Sequence, residues 1–121
     1  METVRSNISF NLVNKTDSAK YVVESYVNGK SWYRIWSDGF CEQGGQFRSV
    51  AGANQVLTFL KPFKDTNYTV FGTNQQTTDA GICGIAFTAF TNSQCHYCTA
   101  YNGNFYSEDF YWFATGYAEQ N

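Results

Sequence analysis

The dipeptide Asn28-Gly29, set between YVVESYV and KSWYRIW, constrains this chain more than any other feature. Asn-Gly between two β-branched and aromatic runs is the strongest short hairpin signal, because a type I′ turn needs φ > 0 at both central residues. A second reversal follows at Ser37-Asp38-Gly39, where Gly39 suits a left-handed position. Residues 21–47 are therefore expected to form a three-stranded meander.

The same reading extends along the chain. Ile8, Phe10 and Leu12 alternate with Ser9 and Asn11, a period of two that predicts a strand, and polar residues from Asn14 to Lys20 read as a linker. Residues 1–20 are thus an N-terminal strand and linker, and residues 21–121 a separate β-domain. Gln55–Leu60 and Thr66–Thr73 read as strands around Lys61-Pro62-Phe63, with the single proline at the break. NQQTTDAG, residues 74–81, reads as a polar loop. Gly84–Phe90, Gln94–Tyr101 and Phe110–Ala118 are three further strands, the last two separated by the loop NGNFYSED. No segment keeps a helical period. About seven or eight short strands at this spacing predict an all-β antiparallel sandwich. Trp36, Phe59, Phe63, Phe71, Phe87 and Trp112 are assigned to its core.

Composition supports strands and narrows the partners. Aromatics make up 19% of the 121 residues, and leucine occurs only at Leu12, Leu57 and Leu60. With 15% charged residues and a net charge of −2, the chain lacks the electrostatic footprint of a nucleic-acid binder. No apolar run approaches a membrane span, and METVRSNISF lacks the apolar segment of a signal peptide. The expectation is a chain that reaches any extracellular place by another route or stays inside, and an initiator Met followed directly by strand-like sequence also suits a fragment cut from a longer protein.

The residues capable of chemistry are few. Cys95-His96-Tyr97-Cys98 has the spacing of a zinc knuckle, with Cys41 or Cys83 to complete it. In a strand, however, Cys95 and Cys98 point to opposite faces, so no metal site is expected within one chain. Three copies of His96 about a trimer axis are the surviving variant. Glu24, Glu42, Asp79, Glu108 and Asp109 are the candidate carboxylates, and nothing sets two of them at a glycosidase spacing. His96 is the only histidine and no G-x-S-x-G occurs, so no nucleophile–base pair is found. The chain is read as a non-enzyme without cofactors.

Binding residues are sought where alternation does not explain an aromatic. Asn74, Gln75, Gln76 and Asp79 lie in one polar loop, and Asn102, Asn104, Phe105 and Tyr106 in another. Flat rings beside amides suit sugars, whose C–H faces stack while their hydroxyls take paired donors and acceptors, and loops on a rigid sandwich commonly carry such sites.

The stretch WYRIWSDGFCEQGG, Trp32 to Gly45, resembles the W/Y-x-R-[aliphatic]-[aromatic]-x-D-G-[aromatic]-x-E-Q-G-G signature of bacteriophage tail-fibre C-terminal domains. VLTFLKPFKDTNYTV and the closing FYWFATGYAEQN are similar to later parts of those domains. The resemblance implies an all-β, homotrimeric fibre tip that attaches a virion to a host-surface polysaccharide or protein and leaves the cell by lysis. It also implies an upstream shaft, of which residues 1–20 would be the end. A trimerisation or capping domain with recognition elsewhere is the alternative, and a glycan-cleaving tip a weaker one. The signature falls on Trp32, Arg34, Trp36, Asp38, Gly39, Phe40, Glu42, Gln43, Gly44 and Gly45. Read from the residues, these are a turn, strand-face aromatics and a bulge or close strand approach, so the motif builds scaffold.

Overall fold

The computed structural model describes residues 19–75 and 81–119; the predicted strand at residues 8–12 lies outside them. The described residues hold nine strands and no helix: β1 (Val22–Asn28), β2 (Ser31–Trp36), β3 (Phe40–Arg48), β4 (Gln55–Thr58), β5 (Thr69–Gln75), β6 (Cys83–Thr88), β7 (Gln94–Tyr101), β8 (Asn104–Phe105) and β9 (Asp109–Tyr117). They form two antiparallel sheets, the all-β sandwich expected. One has five strands in the order β1-β2-β3-β9-β5; the other runs β4-β7-β6, with β8 beside β7. The strand beyond the expected count is β8, two residues hidden in what reads as a polar loop.

The expected meander is present, but its first turn is a different one. Asn28 pairs with Ser31, so the central residues are Gly29 and Lys30. Gly29 has φ 65°, whereas neither Asn28 nor Lys30 is among the residues with positive φ, the pattern of a type II′ turn with glycine first. The two-positive type I′ geometry appears instead at Asn102 (φ 48°) and Gly103 (φ 86°), which join β7 to β8.

Strands β3 and β9 form the spine. They pair over nine positions, from Phe40 opposite Tyr117 to Arg48 opposite Asp109. Their inward positions include Cys41, Gln43, Phe110, Trp112 and Ala114, all buried. Against them lie Leu57, Cys95, Tyr97 and Thr99 of the smaller sheet. Phe59 anchors the aromatic centre, with ring centroids 5.2 Å from Phe63, 5.0 Å from Tyr68 and 5.9 Å from Trp112. A fully buried phenylalanine such as Phe63 or Phe110 contributes about 1.5–3 kcal/mol.

Two core assignments change. Trp36 is only half-buried on the outer face, and Phe71 is 55% exposed. In β5, Val70 and Gly72 face inward opposite Ala114 and Trp112, so the two-residue period turns Phe71 out. Along β7, Cys95 is buried and Cys98 half-buried on the other face, the opposed geometry expected of a strand. All four cysteines are free thiols, and among the described residues no group of three or more His, Cys, Asp or Glu side chains could hold a metal ion.

Candidate functional site

The signature segment is bound into the fold. Asp38 Oδ1 accepts the Phe40 N–H at 3.0 Å, and the Gly39 N–H donates to the Trp36 carbonyl at 2.8 Å, closing the turn at Gly39 (φ 92°). On the outer face, Glu42 Oε1 accepts from Trp36 Nε1 at 2.9 Å and from Arg34 at 3.4 Å. Gln43 points inward and is fully buried. Its Oε1 accepts from the Leu60 and Lys61 N–H groups at 2.9 and 3.2 Å, and its Nε2 donates to the Lys61 carbonyl at 2.7 Å. A buried amide is costly unless paired, so Gln43 acts as a strut that ties the chain before Pro62 to β3. A Cβ on Gly44 would lie 2.6 Å from the Trp112 carbonyl oxygen and 3.3 Å from the Trp32 ring, so glycine permits the close β3–β9 approach. The one register irregularity of the meander lies in β1, between Val22 and Glu24, and not at the glycine pair.

The residues expected to bind are partly gathered at one end of the sandwich. Asn74 and Gln75 extend β5 beyond the expected strand end, opposite Phe110 and Asp109. Gln76 and Asp79 lie outside the described residues. Asn104 and Phe105 form β8, paired with Tyr101 and Ala100. Asn102 is partly committed to the fold: its Oδ1 accepts the Ile82 N–H at 3.0 Å, and its own N–H donates to the Ile82 carbonyl at 3.0 Å.

A buried polar knot sets this end. The Thr99 hydroxyl donates to the Tyr106 carbonyl at 2.5 Å and lies 2.9 Å from Ser49 Oγ. Ser49 Oγ accepts the Glu108 N–H at 3.0 Å, the Ser49 N–H donates to the Glu108 carbonyl at 2.9 Å, and the Ser107 hydroxyl donates to the Ser49 carbonyl at 2.5 Å. Arg48 closes the edge, 2.9 Å from Glu108 and 3.3 Å from Asp109. The backbone of residues 106–108 is thereby held while neighbouring side chains face out. Phe105 is 56% exposed and Tyr106 43%, with the Tyr106 ring 5.1 Å from Tyr101. Ile82, which no sequence pattern singled out, is 79% exposed beside the same hairpin.

A second feature lies on the outer face of the five-stranded sheet. Registered pairs place Val27, Trp32, Gly44, Phe113 and Phe71 in one row across all its strands. Phe113 sits between Trp32 (5.6 Å) and Phe71 (5.3 Å), and the Arg34 guanidinium lies 5.4 Å from the Trp32 ring centre. An open groove of about 520 Å³ runs here, lined by Lys30, Trp32, Phe71, Thr73, Tyr111 and Phe113 among others. The signal for it was the run FYWFA in β9: apolar residues at consecutive positions mean that both faces of the strand carry apolar side chains.

With this geometry in hand, the chain compares with solved structures of pyocin fibres. An N-truncated R2-type pyocin tail fibre matches with a TM-score of 0.60 at 20% identity, over 84% of this chain and 39% of that one. A P. aeruginosa R2 pyocin fibre comprising C-terminal residues 323–691 matches with a TM-score of 0.59 at 21% identity, over 82% of this chain and 26% of that one. The chain therefore spans well under half the length of either fibre. No family model matches it, and no curated protein does. The chain has the fold of a domain of the R2 pyocin tail fibre.

Proposed function

We propose that the chain is a receptor-binding domain of a phage-type tail fibre, a non-catalytic module that attaches a virion or virion-like particle to a host-surface glycan or protein. The observation that carries this reading is the end cluster: Phe105, Tyr106 and Ile82 are exposed, yet the backbone is fastened at Tyr106 by the buried Ser49–Thr99 knot and at Ile82 by Asn102. Exposed rings on a fixed frame lose little entropy on binding, which favours recognition. The fold likeness to pyocin tail fibres supplies the setting: a fibre component, outside the producing cell, joined to a shaft. In a homotrimer the weak site would be present three times, and several fibres multiply the avidity further. Neither nucleic acid nor membrane insertion belongs to this reading; no helix of the described residues is long and apolar enough to cross a membrane.

One observation favours a second reading, a trimerisation or capping domain with recognition elsewhere. Strand β1 is exposed at every position, with Val27 at 74% and Val23 at 56%. A bare, apolar edge strand calls for a cover, and neighbouring subunits would supply it. The two readings separate in one experiment. The labelled chain is incubated with a panel of bacterial cells, and its mass in solution is measured by light scattering. Saturable binding to some strains, competed by unlabelled chain, supports receptor attachment; a trimer that binds none of them supports the capping role.

A further inference from the structure

We propose that the groove on the outer face of the five-stranded sheet is a binding site for a saccharide bearing an anionic group, separate from the end cluster. Its volume of about 520 Å³ falls within the range of small-molecule sites, roughly 300–1,000 Å³. Its walls are rings. Phe113 lies between Trp32 and Phe71, and Phe71 is 55% exposed, so an apolar sugar face can stack there. Tyr111 and Thr73 line it with hydroxyl groups. The charge is specific: in a chain of net charge −2, the one charged residue among the described residues lining the groove is Lys30, at the β1–β2 turn. Lys30 has no ion-pair partner among the described residues, whereas Arg34, on the same face as Trp32, is paired with Glu42 at 3.4 Å. An ammonium at the rim of an aromatic groove complements a carboxylate or a phosphate on a sugar.

The shape argues for a sugar and against a second copy of the chain. The apolar row is one side chain deep along the strands. On one side lies the registered row Ser25, Arg34, Glu42, Thr115 and Thr69, and on the other Gln46, Tyr111 and Thr73. With strands about 4.8 Å apart, the row is a strip, not the broad apolar face that a stable protein interface of about 800 Å² per partner requires.

The test is a titration of the intact chain, followed by ligand-detected NMR and calorimetry, with glucuronic acid, glucose 6-phosphate and glucose as separate arms. The carboxylate and phosphate arms identify which anion is preferred. We expect at least one anionic sugar to bind with a dissociation constant on the order of 1 mM and glucose to bind at least tenfold more weakly. Lys30→Ala should erase that preference, and Phe71→Ala should weaken every arm tenfold or more; both side chains are exposed, so both variants should fold. Val56→Ala, at an exposed position on β4 of the smaller sheet and away from both the groove and the end cluster, should change nothing. The inference is overturned by absence of binding in all arms, by equal binding of glucose and the anionic sugars, or by loss of binding in Val56→Ala. It is also overturned if Phe71→Ala alters the mass in solution, which would make the groove a subunit contact. None of these outcomes depends on whether the end cluster binds a cell.

Discussion

The Trp32–Gly45 segment and the Tyr101–Tyr106 hairpin have similar chemistry and opposite fates. Both mix aromatics, amides and a tight turn. In the first, the polar groups close on the molecule itself: Asp38 on Phe40, Glu42 on Trp36 and Arg34, Gln43 on Leu60 and Lys61. In the second, the backbone is fastened by Thr99 and Ser49 while Phe105 and Tyr106 remain exposed. Composition alone does not separate a strut from a pair of exposed rings; where the hydrogen bonds go does.

The packed segment is most vulnerable at Gly44. Gly44→Val would drive a Cβ to 2.6 Å from the Trp112 carbonyl oxygen and force β3 away from β9. The expected cost is about 3 kcal/mol, or no soluble protein, read as the denaturation midpoint. A variant of wild-type stability would show that the close approach is not needed. Next comes Gln43→Ala, which strands the Leu60 and Lys61 N–H groups and the Lys61 carbonyl and should cost about 2 kcal/mol in chemical denaturation. A loss of a few tenths would mean that water replaces the strut.

At the edge of the meander, a smaller effect depends on pH. The Tyr33 hydroxyl donates to the Glu24 carboxylate, which Lys61 also approaches at 3.1 Å. That bond pushes Tyr33 up to about 12 from an ordinary value of 10.0 and, with Lys61, holds Glu24 below the usual carboxylate range. The raised Tyr33 contributes stability that is present below pH 10 and lost as pH rises through about 12; the lowered Glu24 contributes stability present above its unfolded value and lost as pH falls through its folded one. Burial pushes Tyr68 up to about 12 as well. Ultraviolet titration should therefore show Tyr33 and Tyr68 in a late phase, and Tyr33→Phe should reduce that phase by one group. An unchanged late phase would remove the Tyr33–Glu24 bond from the account. The pair is exposed, so the change in melting temperature at neutral pH should be small.

Much of the architecture was legible because strands alternate strictly: the meander, β7 and β9 lie where the two-residue period puts them. The turn was misplaced by one residue because Asn28 is held in β1, where Tyr26 stacks on Tyr33 at 5.6 Å and Val27 pairs with Trp32. Cross-strand packing outside the dipeptide chose the register. Phe71 was read as core because aromatics usually are, although its own alternation with Val70 and Gly72 points outward. The end cluster was half legible. Phe105 and Tyr106 stood out as loop aromatics, but Ile82 did not, since its exposure depends on Asn102 drawing the start of β6 to the hairpin from twenty residues away.

The contrast between strut and surface is tested most directly by binding of the Phe105→Ala/Tyr106→Ala double variant to the bacterial strain that retains the wild-type chain best. The chain is applied at equal folded concentration, checked by circular dichroism and light scattering. Both side chains are exposed, so the account predicts unchanged melting temperature and mass, with cell-bound protein falling several-fold or more. Wild-type binding by this folded variant would contradict it and move recognition away from the hairpin end of the sandwich.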